Sequence, residues 1–306
     1  MESHYTVDMK NLIILFLAFV SFRQVMAQED DTKFQPINLA AIAEVNQVNN
    51  YITFPTDIGN LAPIWFEANI IPDFLIRKSK NARLMGVLTP QVIIRMYQEE
   101  SSPVRTPSYI PQITIYYALE ANRTKSQYTF FGRIAHHSNG QEGDFYLPDS
   151  NINLISGSFS TNFLQAGLIF NRFNANLNAT QFFNTFVEVH PPRWSLEELE
   201  GKYSMVRWHN ALSVYKIPLA ANSLSQKSPA ISIQAEVMWM FGQVDDWSAL
   251  STDRLNLNLT FFYHPSFLED IGLFVEFYSR MDYYNIYFNE KVEVIRFGIM
   301  TEKLRF

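Results

Sequence analysis

The stretch "LNLNLTFFYHP", Leu255–Pro265, alternates cleanly over its first seven residues. Leu255, Leu257, Leu259 and Phe261 fall on one parity, and Asn256, Asn258 and Thr260 on the other. Successive side chains of a strand point to opposite faces, so this pattern predicts a strand with one apolar and one polar side. The same signature recurs in Ile231, Ile233, Ala235, Val237 and Trp239, set against Ser232, Gln234, Glu236 and Met238. It recurs less cleanly in Leu273, Val275 and Phe277.

Working outward from these segments, strand candidates lie near residues 49–57, 63–78, 83–98, 109–121, 126–138, 159–172, 181–190, 202–217, 229–241, 253–264, 270–282 and 291–306. Many reach the roughly 9–11 residues that a tilted strand needs to cross a bilayer. Their polar parity carries Asn, Gln, Glu, Arg and Thr. In a soluble sandwich those residues would face water, whereas in a membrane barrel they face the lumen and the apolar set faces lipid. Alternation alone does not separate the two.

Three further features favour an all-β transmembrane antiparallel barrel of about twelve strands. The first is a leader: Lys10, the apolar run Asn11–Phe22 and the small or apolar residues Val25–Ala27 read as a signal peptide over 1–27. Met9 is an alternative start. A membrane anchor is the weaker reading, because "QEDDTKFQP" follows at once. The second is aromatic clustering at strand ends in "TFF", "FFYHP" and "DYYNIYF", as interfacial girdles require. The third is the terminal aromatic Phe306, as in bacterial outer-membrane barrels. No repeat or linker divides the rest, so residues 28–306 are expected to form a single barrel domain.

Composition excludes several classes. The formal net charge is −6 and no basic stripe is present, which argues against nucleic-acid binding. The chain has no cysteine, and so no disulfide framework, zinc thiolate or thiol nucleophile. It has 26 Phe and 15 Tyr, an aromatic load that suits a protein with apolar residues at its surface.

Two of the six histidines adjoin one another in "GRIAHHSNGQ", Gly132–Gln141. Parity separates them. Tyr128, Phe130, Ile134, His136 and Ser138 share the apolar, lipid-directed face, while Arg133 and His137 point to the lumen. A His and a Ser two apart on one face are neighbours, close enough for the imidazole to take the hydroxyl proton. In the following strand Asn162 opens the apolar parity set Leu164, Ala166, Leu168 and Phe170. A hairpin would bring Asn162 beside His136, where its amide could fix the imidazole tautomer. The competing reading is a polar strand end running into the turn tripeptide Ser138-Asn139-Gly140.

Several ordered motifs resemble the outer membrane phospholipase A family of Gram-negative bacteria. They are "ESSPVRTPSYIPQ" (Glu100–Gln112), "HHSNG" (His136–Gly140), "SFSTN" (Ser158–Asn162) and the closing region "YYNIYFNEKVEVIRFGI". The resemblance implies a twelve-stranded barrel that hydrolyses phospholipid acyl esters at both positions, with Ser138 as nucleophile, His136 as general base and Asn162 orienting it. It also implies activity as a homodimer, with calcium supporting the oxyanion. The carried-over calcium ligands are Ser101 from one subunit with the Gln141 carbonyl and the Ser158 hydroxyl from the other, where Gln141 replaces the family's usual arginine. A second calcium site would fall at Glu197 or Glu198, and Asp144 could contribute locally. The segment from Gln141 to Thr161 is longer than in the family, and is either a lid over the site or a harmless excursion. A catalytically silent barrel, acting as a channel or structural protein, is the alternative.

Overall fold

The computed structural model describes residues 37–47, 49–101, 103–119, 126–174, 177–216, 230–265, 267–268 and 270–301. The expected leader and Phe306 lie outside these residues. The strands are β1 (Tyr51–Thr53), β2 (Ile58–Gly59), β3 (Ile64–Ile70), β4 (Phe74–Ile76), β5 (Leu84–Tyr97), β6 (Ser108–Ala118) and β7 (Ser126–Ser138). They continue as β8 (Ser160–Asn174), β9 (Ala179–Val189), β10 (Val206–Lys216), β11 (Ile231–Phe241), β12 (Leu255–Tyr263), β13 (Ile271–Met281) and β14 (Lys291–Thr301).

Neighbours pair antiparallel in chain order, and β1 closes the circle by pairing with both β14 and β3. The result is a closed twelve-stranded antiparallel barrel. Two of its staves are broken where the sequence suggests single strands. Pro55 lies between β1 and β2, and Pro72 between β3 and β4, and a residue without an N–H cannot continue a ladder. Closure leaves no backbone edge for lipid to solvate, the condition a spanning sheet must meet.

Parity in the barrel follows the sequence pattern. Leu259 and Phe261 are 50% and 43% exposed, whereas Asn256 and Thr260 on the other face of the same strand are each 7% exposed. Ile113, Ile115, Phe130, Ile134, Leu168, Ile233, Val275 and Phe277 continue this outward apolar band around the wall. An apolar exterior of this kind belongs in a bilayer.

The interior is filled in three layers. At the lower end sits α1 (Leu39–Asn46), which the sequence reading did not anticipate. Asn38 caps it by accepting from the Ala41 N–H at 3.0 Å, a common start signal. Leu39, Ile42 and Ala43 pack against Met85, Val87, Tyr116, Phe131, Ile169 and Phe182 on the inner wall. Asn46 ties the helix down by donating to the Tyr116 hydroxyl at 2.9 Å.

The middle layer is ionic. Arg95 donates to Glu67 at 2.6 Å and to both oxygens of Asp282 at 2.5 and 2.9 Å, and it lies over the Tyr284 ring. Arg296 bridges Glu67 and Glu276 at 2.9 and 3.1 Å, and Tyr283 also donates to Glu67. Charges this deeply buried persist only when paired.

The upper mouth is closed by aromatic residues. Here the structure corrects an expectation: "DYYNIYF" is no interfacial girdle. Tyr284 and Ile286 are fully buried and pack with Tyr97, Phe145, Phe159, Leu199 and Tyr203 inside the mouth. Residues 141–159 join this plug. Phe145 and Phe159 are buried in it, and the Leu154 carbonyl accepts from the Tyr287 hydroxyl at 3.1 Å. Between the plugs remains an internal cavity of about 340 Å³, lined in part by Glu188, His190, Arg207, His209 and Glu236.

Candidate active site

At the upper rim, β7 and β8 run side by side in a register that sets His136 opposite Asn162 and Ser138 opposite Ser160. His136, Ser138 and Asn162 are each half-buried and share the outward face with exposed Ile134 and Leu164. Ala135, His137 and Phe163 on the other parity are buried. The adjacent histidines are thereby separated: His137 turns inward and meets the Ser108 hydroxyl at 3.1 Å.

His136 Nδ1 lies 3.0 Å from Asn162 Oδ1. The Asn162 amide is itself oriented, because its Nδ2 donates to the Trp194 carbonyl at 2.6 Å. A nitrogen that must donate to a carbonyl leaves Oδ1 as the atom facing the imidazole. An amide oxygen only accepts, so Nδ1 carries the proton and donates, and Nε2 is left as the basic nitrogen. Ser138 lies two residues on, on the same face, and among the described residues no hydrogen bond joins it to His136. Trp194 carries no sequence signal for such a role; it reaches Asn162 because the turn after β9 folds back along the start of β8. That return is marked by the Thr161–Ser195 bridge and the Leu196 N–H donating to the Ser160 carbonyl at 3.0 Å. An open groove beside Asn162 is lined by Ile134, Ser160, Arg193, Trp194, Ser195 and Leu196.

The chain leaves β7 through Asn139 and Gly140. Asn139 is buried, and its side-chain oxygen accepts from the Gln141 and Phe159 N–H groups at 3.2 and 3.0 Å, which draws the two ends of the inserted segment together. Gly140 has φ +65°, which favours glycine, and a Cβ there would sit 3.2 Å from the Tyr109 ring, which would have to shift slightly.

The expected calcium ligands fall in two places. Gln141 and Ser158 lie on the facing segments at the base of the insertion, where the Ser158 N–H donates to the Gly143 carbonyl at 2.9 Å. Among the described residues no hydrogen bond ends on the Gln141 carbonyl or the Ser158 hydroxyl. Ser101 is exposed on the separate turn after β5. Neutral oxygens left free at a rim that also bears exposed Glu142 and Asp144 are donors of the kind calcium takes. Glu197 and Glu198 are exposed on a short 3₁₀ turn. Among the described residues no cluster of three His, Asp or Glu side chains is placed to hold a metal.

Known proteins resemble the chain in fold but only remotely in sequence. No protein-family model matches it, and no curated protein sequence does. Among solved structures, the outer membrane phospholipase A of Escherichia coli is similar over 88% of this chain and 99% of its own, with a TM-score of 0.55 and 14% identity. The outer membrane phospholipase of Salmonella typhi, a dimer with bound calcium, is similar over 90% and 95%, with a TM-score of 0.54 and 12% identity.

Proposed function

We propose that the chain is an outer-membrane phospholipase that hydrolyses the acyl esters of glycerophospholipids and lysophospholipids at its lipid-facing surface. The observation that carries this reading is the His136–Asn162 hydrogen bond on the outward wall beside Ser138, with its amide locked by Trp194. A polar constellation facing lipid is costly unless it is used. A substrate that resides in the bilayer would reach it by lateral diffusion.

His136 Nε2 takes the Ser138 proton as the serine oxygen attacks the ester carbonyl, and the imidazolium then protonates the departing alcohol. Asn162 holds the ring through both transfers. Water, activated by the same nitrogen, releases the fatty acid from Ser138. Calcium held by the Gln141 carbonyl and the Ser158 hydroxyl, together with Ser101 of a second copy, would supply electrostatic support to the oxyanion. That division of ligands makes a homodimer the active form, and the calcium-bound dimer from Salmonella supports this reading.

A channel is disfavoured because α1 and the aromatic plug fill the two mouths. A silent structural barrel is the remaining competitor. The test is fatty-acid release from phosphatidylethanolamine in detergent micelles by the purified barrel, with calcium or with a chelator. Release that needs calcium and Ser138 supports the proposal; none from a folded barrel favours the silent reading.

A further inference from the structure

Behind Asn162, on the lumen side of the same strand, Thr161 is fully buried, and its hydroxyl joins two otherwise separate groups. His190 Nδ1 lies 2.9 Å from Thr161 Oγ1, and Ser195 Oγ lies 2.7 Å from it on the other side. His190 Nε2 is 2.9 Å from Glu188 Oε1. Glu188 is held in turn by Gln165 at 2.7 Å and Arg207 at 3.2 Å. Ser195 belongs to the turn whose Trp194 carbonyl orients Asn162.

We infer that Glu188, His190, Thr161 and Ser195 form a buried relay that positions the catalytic amide, by fastening the Trp194 turn onto β8 and so holding the Asn162–His136 pair in register. The inference rests on the phospholipase reading of that pair and adds four positioning residues to it.

The donor pattern is self-consistent. Burial lowers the His190 pKa against the opposing hydrogen bond and charge of Glu188, which favours the neutral ring. Its Nε2–H donates to the carboxylate, and Nδ1 accepts from the Thr161 hydroxyl. Thr161 Oγ1 then accepts from the Ser195 hydroxyl at 2.7 Å, for which the Pro191 carbonyl at 3.3 Å is the longer competing acceptor, so that one chain runs from the lumen carboxylate to the turn. Thr161 and Asn162 are consecutive in β8: one face of the strand receives the relay, and the other presents the amide to His136. This arrangement resembles a nucleophile with its base and carboxylate, but substrate cannot reach a Thr161 with no exposed surface. Its effect is therefore exerted through Asn162. Apolar packing alone would not require these partners, since valine fills the volume of threonine without the hydroxyl.

The test is a double-mutant cycle on micellar phospholipid, with parent, Thr161→Val, Thr161→Ser, Asn162→Ala and Thr161→Val/Asn162→Ala barrels. Each is first shown to be folded by its heat-dependent gel migration. Thr161→Val should lower kcat about tenfold, the loss expected for one buried hydrogen bond, with KM unchanged. Thr161→Ser should recover most of the parent kcat, and Thr161→Val should cost nothing further once Asn162 is alanine. An equal loss in both backgrounds, or an unaffected Thr161→Val, would overturn the relay while leaving the phospholipase reading intact. A folded parent with no hydrolysis would overturn both.

Discussion

Replacing Asn162 by alanine removes the acceptor that holds the His136 ring at 3.0 Å, and with it the donor to the Trp194 carbonyl. During proton transfer the ring becomes an imidazolium, and a hydrogen bond to a charged group contributes about 1.5–3 kcal/mol. At about 1.4 kcal/mol per decade this corresponds to a fall in kcat of roughly 10- to 150-fold. KM should change little, because the bond strengthens in the transition state rather than on binding. Ser138→Ala removes the proposed nucleophile, a change that in serine hydrolases costs on the order of 10⁶. Asn162→Asp should recover only part of the loss: it keeps the acceptor but sets a carboxylate oxygen against the Trp194 carbonyl, which now receives a hydrogen bond at 2.6 Å. The assay is initial-rate acyl release across substrate concentration, with barrels matched for folding. Equal losses for Asn162→Ala and Ser138→Ala, or no loss for Asn162→Ala, would refute the orienting role.

Other consequences concern the interior and the rim. Arg95→Met strands Asp282 without its cation and leaves Glu67 with Arg296 as its remaining one, so it should destabilise the barrel by about 3–5 kcal/mol, seen as a lowered denaturant midpoint in detergent. Ile42→Ala, at a position with no exposed surface, should cost about 2–5 kcal/mol of plug packing if α1 is held as described; an unchanged midpoint would show that it is not. Gly140→Ala forces a Cβ onto a φ of +65° beside Tyr109 and should cost about 1–2 kcal/mol, with reduced activity from a displaced β7 end. The parent barrel should show no steady conductance in planar bilayers, and a persistent open pore would contradict the two-plug interior.

The barrel was legible because lipid imposes the simplest of patterns. A strand with hydrocarbon on one side must place an apolar residue at every second position, so Leu255–Phe261 announces both the element and its facing. The candidate pair was legible for the same reason: His136 and Asn162 are polar residues on the apolar parity of adjacent strands. What escaped was whatever that constraint does not reach. An aromatic run reads alike at a membrane interface and in a plug, so the pattern alone places Tyr284 and Tyr287 at the membrane surface, whereas both are buried. Helix α1 is only eight residues long and lies where no lipid imposes a period. Thr161, His190 and Ser195 converge only after β8 and β9 have paired, and in the sequence each is an ordinary polar residue near a strand end. Trp194 acts through its carbonyl, which every residue possesses.

The central claim, that Ser138 is a nucleophile activated on the lipid-facing wall, is tested most directly by covalent capture. The purified barrel would be incubated with a long-chain fluorophosphonate in micelles and its mass measured, followed by peptide mapping. One adduct on Ser138, absent from Ser138→Ala and strongly slowed in His136→Ala, is the predicted result. An unmodified Ser138 in a folded barrel, or labelling that is indifferent to His136, would contradict it.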